Sequence, residues 1–267
     1  MSVIACVKVY DGMVLGCESM TQLWGPGQPA SPTGQPQFIK AFSNARKLFR
    51  IADLPFGVLA YGAGNLRNRS IESYLFEFSD TLKGQASRTE LSAQQIGQQL
   101  FDFIRQPYEE SFSALPQPQR PNLGFYVAGY SPGQHLGSEW EFVLPQNDRP
   151  VQARPDDQVG ASWRGIALPF YRLFFGFDPR LIEALVAQQI PADVIGKIQD
   201  AAKMFTSAVV FDGMPLKDAV GFCRFILQTT IDQCTYEVGV PTCGGPLQMA
   251  VITRDEKFAW IQKLDYS

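Results

Sequence analysis

Residues 2–19, SVIACVKVYDGMVLGCES, decide the fold of this chain. Residues 3–9 place apolar side chains on both alternating faces of an extended segment, and residues 13–19 continue in the same way. Between them, Asp11-Gly12 is a strong signal for a β-hairpin turn. The chain is therefore predicted to open with a β-hairpin that is buried on both faces.

The elements predicted after this hairpin come in pairs of like kind. In chain order they are strands over 47–51 and 57–61, an amphipathic helix over 71–82, a second helix with Thr89 as its N-cap, strands over 123–130 and 140–144, short helices broken by prolines over 166–205, a helix from Pro215, and strands over 248–253 and 258–262. Paired strands and paired helices favour antiparallel sheets with helices layered outside them. We therefore predict an α+β fold.

Two segments depart from regular amphipathic patterns. Residues 24–37, WGPGQPASPTGQPQ, are so rich in Gly, Pro and Gln that an exposed loop is predicted there. In the last helix, Phe222, Phe225 and Ile226 lie off the apolar stripe. A helix that is apolar beyond one face is buried against more than one neighbour, and another subunit is one such neighbour.

The composition is typical of a globular protein with a sizeable core. The chain has 267 residues, of which 45% are hydrophobic and 18% charged, enough for one large core or two small ones. Because 23 Lys and Arg residues face 26 Asp and Glu residues, the net charge is only -3. No strong field would draw such a protein to nucleic acid or to an anionic membrane. A small polar or peptide-like partner is expected instead.

The cysteines and the first residues bear on the cellular compartment. Five cysteines, odd in number and without CxxC spacing, predict neither a disulfide framework nor a zinc site. Lys8 and Asp11 interrupt the first apolar run, which does not predict a signal peptide, and no stretch reaches the roughly 20 apolar residues of a membrane span. We therefore expect reduced thiols and a soluble, cytoplasmic protein.

Several familiar catalytic motifs are not indicated by the sequence. The single histidine, His135, stands in a Gly/Pro-rich turn that is poorly suited to a catalytic triad. Gly62-Ala63-Gly64 completes neither a GxGxxG nor a P-loop pattern, so no nucleotide cofactor is predicted. The thiols and carboxylates are too scattered to predict a metal site.

A nucleophile that needs no histidine remains. In this class the α-amino group of the chain serves as the base for the first side chain. An α-amino group has a pKa of roughly 7.7 to 8.0, so a substantial neutral fraction exists near pH 7. Ser2 is small enough for Met1 to be removed by methionine aminopeptidase, and the processed chain is therefore expected to begin with Ser2.

The first motif resembles the opening of proteasome β subunits and of the bacterial protease HslV, which are N-terminal-nucleophile (Ntn) hydrolases. In SVIACVKVYDGMVLGCES, Ser2 stands where that family has its nucleophilic threonine. Gly12 stands at the family's turn glycine, and Glu18-Ser19 at its acidic-Ser pair. The resemblance implies catalytic roles for Ser2 and Glu18.

Later motifs extend the resemblance over nearly the whole chain. NARKLFRI resembles the strand with the catalytic lysine, which implies that role for Lys47. GVLAYGAGNLRNRSIESYL resembles the strand, turn and helix in which the backbone N–H of Gly62 would help bind the oxyanion. VGASW implies a supporting serine at Ser162, and TCGGPLQMAVI places Cys243 where the family usually has serine.

The resemblance also implies an architecture, a reaction and partners. It implies one domain over 1–267, a four-layer αββα sandwich of two antiparallel sheets flanked by helices, with long insertions at about 21–45 and 166–214. The reaction would be acyl transfer from peptide bonds to Ser2, without cofactor or metal. The implied partners are a peptide or protein substrate, further copies of the chain in a ring or stacked rings, and an ATPase unfoldase.

Three differences from the family pattern leave two other functions open. Ser2 replaces threonine, Glu18 replaces aspartate, and Val240 stands where an acidic residue would precede Cys243 by three positions. These differences favour a catalytically silent ring subunit, as proteasome α subunits are. Those α subunits carry a helical extension before the first strand, which the first residues here do not show. An Ntn amidase for a small molecule is the other alternative.

Overall fold

The structure, a computed structural model, describes residues 2–25, 37–166, 168–209 and 211–265. The strands in these ranges are β1 (Val3–Val9), β2 (Gly12–Cys17), β3 (Thr21–Gly25), β4 (Gln37–Phe42), β5 (Leu48–Arg50), β6 (Phe56–Gly62), β7 (Asn65–Leu66), β8 (Arg69–Ser70), β9 (Leu123–Gly129), β10 (Ser138–Leu144), β11 (Val151–Arg154), β12 (Gly160–Gly165), β13 (Gln248–Thr253) and β14 (Lys257–Gln262). The α-helices are α1 (Ile71–Lys83), α2 (Ala93–Phe112), α3 (Leu168–Phe175), α4 (Arg180–Ala187), α5 (Ala192–Ala202) and α6 (Leu216–Tyr236).

Two five-stranded antiparallel sheets form the central layers. One sheet has the strand order β12-β1-β2-β13-β14 and the other β11-β10-β9-β6-β5. Helix α6 packs on the outer face of the first sheet, and α1 and α2 share a core with the outer face of the second. Apolar side chains from both sheets meet in the layer between them. The predicted αββα sandwich is confirmed.

Strand β1 is buried along its whole length, as the apolar pattern predicted. Val3 and its alternate residues pack under α6, whereas Ile4 and Cys6 pack between the sheets. This division follows from the two-residue period of a strand. The same period puts Ser2 and Lys8 on the inter-sheet face, so β1 carries a polar side chain at each end of the layer between the sheets.

Helix α6 begins directly after Pro215, as predicted. The apolar side chains beyond its main stripe differ in how far they are covered. Ile226 is fully buried, and the rings of Phe222 and Phe225 pack against Phe170 and Phe174 of α3. One additional neighbour of this helix is therefore α3, although Phe225 remains 43% exposed.

The short helices predicted over residues 166–205 are present as α3, α4 and α5. Proline stands at or next to the start of each, with Pro169 in the first turn of α3 and Pro179 and Pro191 as the N-caps of α4 and α5. Proline fits the first helical turn because the backbone N–H it lacks has no intrahelical acceptor there.

The loop predicted over residues 24–37 is corrected at both ends. Trp24 and Gln37 belong to β3 and β4, which pair as an antiparallel hairpin, while residues 26–36 lie outside the described residues. The rings of Trp24 and Phe38 meet edge to face with centroids 5.6 Å apart. Cross-strand aromatic pairs stabilise a hairpin, and a composition dominated by Gly and Pro concealed this one.

The N-cap predicted for the second helix is also corrected. Thr89 lies in a short 3-10 turn, and α2 begins after Ser92. The Ser92 hydroxyl accepts from the backbone N–H of Gln95, and the Gln95 side chain accepts from the backbone N–H of Ser92. This reciprocal capping box satisfies two backbone donors at once, which explains why the helix starts there.

Candidate active site

Ser2 and Lys47 meet between the two sheets. Ser2 immediately precedes β1 and is 3% exposed, and Lys47 immediately precedes β5 in the opposite sheet. Lys47 Nζ lies 2.8 Å from Ser2 Oγ. The structure thus brings together the two residues to which the resemblance assigned the nucleophile and the catalytic lysine.

Lys47 Nζ has three hydrogen-bond acceptors. They are Ser2 Oγ, a carboxylate oxygen of Glu18 and the backbone carbonyl oxygen of Met20. A lysine ammonium carries three N–H donors and no acceptor. The Glu18 carboxylate and the Met20 carbonyl accept from Lys47, whereas the Ser2 hydroxyl can either accept from Lys47 or donate to it.

Glu18 is fully buried and is held on both oxygens. One oxygen pairs with Lys47, and the other accepts from the backbone N–H groups of Met20 at 2.6 Å and Gly244 at 3.3 Å. An unpaired buried carboxylate would be costly, so the ammonium and the two N–H donors explain how the charge is tolerated. Glu18 in turn fixes the position of Lys47.

A second layer of polar contacts holds the segments that carry these residues. Gln248 of β13 is 1% exposed; its side-chain oxygen accepts from the backbone N–H of Lys47 at 3.3 Å, and its amide donates to the carbonyl of Ala45 at 3.0 Å. The Ser19 hydroxyl lies 2.6 Å from the carbonyl oxygen of Ser43. Gln248 was not predicted from the sequence, although a glutamine at the start of a largely apolar strand was a signal that could have found it.

A pocket of about 470 Å³ opens beside Ser2. Gly62 lies in its wall with a backbone φ of +94°, and a Cβ atom there would collide with the carbonyl oxygen of Asn122. Only glycine adopts this conformation without strain and allows so close an approach. The structure therefore places Gly62 in the wall of the pocket that Ser2 also lines, and its predicted part in binding an oxyanion stays a prediction.

Ser162 lies in a different polar cluster. It pairs with Cys6 across the β1–β12 register, four residues along β1 from Ser2. Its hydroxyl donates to the Glu139 carboxylate at 3.2 Å and accepts from Arg154 at 3.0 Å. The structure therefore places Ser162 in this second cluster, and the supporting role that the resemblance implied for it stays a prediction.

Burial governs the charges of this second cluster. Glu139 is fully buried, and burial raises the pKa of its carboxyl, an effect opposed by the Tyr126 hydroxyl and by Arg154 and Lys8. Burial likewise lowers the pKa of the Lys8 amine, which donates to two backbone carbonyls. Hydrogen bonds within this cluster join side chains of β9, β10, β11 and β12, and β12 in turn pairs with β1.

Cys243 directly precedes Gly244, whose backbone N–H contacts Glu18. Its thiol is buried and hydrogen-bonded to Cys234 near the end of α6, which together with burial raises the pKa of Cys243. The same bond, with a further one from the Thr242 hydroxyl, lowers the pKa of Cys234 to about 7.

No group of three or more His, Cys, Asp or Glu side chains in the described ranges is arranged to hold a metal ion. Among the helices in the same ranges, none has both the length and the hydropathy needed to cross a bilayer.

The two antiparallel sheets between helical layers have the αββα arrangement of the proteasome-like fold. No protein-family model and no curated protein matches the sequence.

Solved structures with this fold include Anbu proteins. A Gly-1 mutant of Anbu from Hyphomicrobium sp. strain MC1 superposes with a TM-score of 0.56 at 12% identity, over 100% of this chain and 87% of that one. A helical assembly of the Anbu complex from Pseudomonas aeruginosa gives a TM-score of 0.55 at 16% identity, over 99% and 88% of the two chains. At these identities the likeness shows the fold alone.

Proposed function

We propose that this protein is an N-terminal-nucleophile hydrolase that cleaves peptide or amide bonds by acyl transfer to Ser2, after removal of Met1. The observation that carries the proposal is the 2.8 Å contact between Lys47 Nζ and Ser2 Oγ at the end of a pocket. A buried lysine, a buried glutamate and a serine hydroxyl in contact are typical of a site where a hydroxyl is prepared for attack.

The α-amino group of Ser2 is the proposed general base. Lys47 Nζ contacts Ser2 Oγ, Glu18 and the carbonyl oxygen of Met20, and we assign it the role of a donor to Ser2 Oγ. A free α-amino group on the same residue has a pKa of roughly 7.7 to 8.0, which suits proton transfer near pH 7. The positive charge of Lys47 stabilises the alkoxide character that develops on Ser2 Oγ.

The proposed reaction proceeds in two acyl transfers. As Ser2 Oγ attacks the carbonyl carbon, its proton passes to the α-amino group, and the resulting tetrahedral intermediate expels the amine, which takes that proton. Water then attacks the carbonyl carbon of the ester on Ser2, and the α-amino group takes a proton from this water. As the bond to Ser2 Oγ breaks, the α-amino group returns that proton to Ser2 Oγ, and the carboxylic acid is released. The reaction consumes one water and leaves the enzyme unchanged.

Gly62 is the proposed donor to the oxyanion of both tetrahedral intermediates. It is exposed and lines the same pocket as Ser2. Loss of one oxyanion donor costs about 3 to 4 kcal/mol in other hydrolases, which corresponds to a rate loss of several hundred-fold.

The test is covalent labelling of the processed protein. Intact-protein mass is measured with and without a β-lactone probe, and the adduct is located by peptide mapping. We expect loss of Met1 and one adduct on Ser2, no adduct in Ser2→Ala, and slower labelling in Lys47→Met. Ser113→Ala, which removes an exposed serine hydroxyl at the end of α2, is the matched control. A processed but unreactive Ser2 would contradict the hydrolase function and favour a structural subunit.

Self-assembly is proposed on the likeness to the Anbu complex, which is described as a helical assembly. We expect this chain to form a homo-oligomer, and light scattering coupled to size exclusion would measure its mass. A monomer at micromolar concentration would contradict this. The ring arrangement, the ATPase unfoldase partner and the cytoplasmic location stay predictions.

A further inference from the structure

Two of the five cysteines lie in contact with each other near the candidate active site. All five fall within the described ranges, where each is a buried free thiol. Cys234 belongs to the last turn of α6, and Cys243 lies in the segment that connects α6 to β13. Their thiols are hydrogen-bonded to each other, and the Thr242 hydroxyl donates to Cys234 Sγ at 3.4 Å. The pair therefore has the proximity that a disulfide requires.

The residue after Cys243 holds the segment that carries Glu18. The backbone N–H of Gly244 donates to the Glu18 carboxylate at 3.3 Å. The carbonyl oxygen of Gly244 accepts from the backbone N–H groups of Ser19 at 3.2 Å and Met20 at 2.9 Å. Three hydrogen bonds to one glycine thus fix where this segment lies.

The same segment supplies two of the three contacts of the lysine at the site. Lys47 Nζ contacts the Glu18 carboxylate, the carbonyl oxygen of Met20 and Ser2 Oγ. Because Cys243 is joined directly to the glycine that holds Glu18 and Met20, a shift of Cys243 is transmitted to Lys47. The cysteine pair is therefore coupled to the site through the backbone.

The two thiols differ in how readily they react with an oxidant. Hydrogen bonds from Cys243 and Thr242 lower the pKa of Cys234 to about 7, so part of this thiol is ionised at neutral pH. Cys243 keeps its proton, because its bond to Cys234 and its burial raise its pKa. Cys234 is 4% exposed and is followed by Tyr236 and Val238, which are open to solvent. A small oxidant such as hydrogen peroxide therefore reacts first with Cys234.

We propose that Cys234 and Cys243 form a redox modification site, at which hydrogen peroxide produces a disulfide that slows the reaction at Ser2. In the first step Cys234 Sγ attacks the peroxide, the O–O bond breaks, and a sulfenic acid and one water are formed. In the second step the Cys243 thiol attacks the sulfur of the sulfenic acid, so that the S–S bond forms and the S–O bond breaks. The oxygen leaves as a second water with the thiol proton. Two thiols are thereby oxidised to one disulfide, and one peroxide is reduced to two waters.

The disulfide acts on the site through Gly244. A covalent S–S bond holds two sulfur atoms closer than a contact between thiols does, so Cys243 shifts toward α6. The contact of the Gly244 N–H with Glu18 is 3.3 Å, longer than the 2.6 Å contact from Met20 to the same oxygen, and should weaken first. A displacement of about 1 Å in a reacting geometry can lower a rate by about a hundredfold.

Peptide mapping tests the disulfide by itself. Cleavage by trypsin after Arg224 and Arg254 leaves Cys234 and Cys243 in one peptide that contains no other cysteine. After mild treatment of the folded protein with hydrogen peroxide, we expect this peptide to lose the mass of two hydrogen atoms and to resist alkylation in denaturant until it is reduced. Cys223→Ala removes a thiol of the same helix and should leave this result unchanged, whereas Cys234→Ala should abolish it. Alkylation of both cysteines in the treated protein would overturn the proposal.

The effect on the site is measured by the rate at which the β-lactone probe labels Ser2, and this arm alone rests on the proposed function. We expect the disulfide-bonded protein to be labelled at least about tenfold more slowly than the reduced protein, with recovery after reduction. Peroxide should slow Cys223→Ala as it slows the parent, and should leave the labelling rate of Cys234→Ala unchanged. An unchanged rate in the disulfide-bonded parent would overturn the regulatory effect and leave the hydrolase function supported.

A protein whose Ser2 is never labelled would contradict the hydrolase function, and hydrogen exchange then tests the cysteine pair. The backbone N–H of Met20 is bonded to Glu18 and Gly244, so displacement of this segment should speed its exchange. We expect faster exchange over residues 18–20 in the disulfide-bonded form than in the reduced form. Equal exchange in the two forms would overturn the proposed displacement.

Discussion

Lys47 Nζ lies 2.8 Å from Ser2 Oγ although the two residues are 45 positions apart and belong to opposite sheets. The contact exists because Ser2 occupies the inter-sheet face of β1 and Lys47 enters the same layer at the start of β5. Glu18 directly follows β2, the strand paired with β1, and its carboxylate pairs with Lys47. The proposed nucleophile is thus positioned by the sandwich as a whole.

Removal of Lys47 should destabilise the fold as well as the site. Lys47→Met leaves the fully buried Glu18 without its cation, and breaking a buried pair in this way costs about 3 to 5 kcal/mol. Urea denaturation would measure the free energy of unfolding. The double variant Lys47→Met/Glu18→Gln should recover part of the loss.

The control for this prediction is a lysine on the surface. Lys83 pairs with Asp80 and keeps half of its side chain exposed, so Lys83→Met should change the free energy of unfolding by less than about 0.5 kcal/mol. Equal effects of Lys83→Met and Lys47→Met would contradict the view that Glu18 needs Lys47.

Substitution of Gly62 should be costly for conformational and steric reasons. In Gly62→Ala the new Cβ meets a backbone carbonyl at a φ of +94°, and we expect a loss of about 2 kcal/mol or more in the free energy of unfolding. Gly196→Ala should instead stabilise the protein by about 0.5 to 1 kcal/mol, because α5 has open space at that position. Thermal and urea unfolding of both variants measure the two changes in stability. A Gly62→Ala protein as stable as the parent would contradict the prediction.

Gln248 should be more important for stability than its surface counterpart. In Gln248→Leu the backbone N–H of Lys47 and the carbonyl of Ala45 lose their partner, at about 1 to 3 kcal/mol for each buried group. Gln228→Leu on the exposed face of α6 is the matched control, with an expected change under about 0.5 kcal/mol. Chemical denaturation compares the two, and a Gln248→Leu protein as stable as the control would show that water replaces the side chain.

Glu139 should make the stability of the protein depend on pH. Because burial raises its pKa above the ordinary value of 4.5, the folded state holds more protons than the unfolded state between 4.5 and the raised value. The free energy of unfolding should therefore fall as pH rises through that interval. Below the interval Glu139 is protonated in both states and does not make the free energy of unfolding depend on pH.

Glu139→Gln tests this dependence. Glutamine keeps an acceptor for the Tyr126 hydroxyl but does not titrate, so the decline in stability between pH 4.5 and 8 should become shallower than in the parent protein. Urea denaturation across this pH range measures the two slopes. Glu90→Gln, at an exposed position in the 3-10 turn before α2, is the control. Parallel curves for the parent and Glu139→Gln would refute the assignment.

Sequence patterns predicted the parts of the fold that depend on neighbours along the chain. The alternation of residues 3–9 and 13–19 predicted a hairpin buried on both faces, and the 3.6-residue period predicted α1, α2 and α6. The hairpin of β3 and β4 was missed because its stability comes from a cross-strand contact of Trp24 with Phe38, which residue composition does not express.

For the candidate site, the sequence by itself determined the residue types and their order along the chain. Ser2 precedes the apolar strand β1 and Glu18 follows the apolar strand β2, while Lys47 precedes β5 and Gly62 ends β6. Tertiary structure decided which of them meet. The β1–β12 register directs Ser162 to Glu139, and the return of β13 beside β2 brings in Gln248. These pairings are set by the packing of two sheets, a long-range balance of burial and hydrogen bonding that no local period encodes.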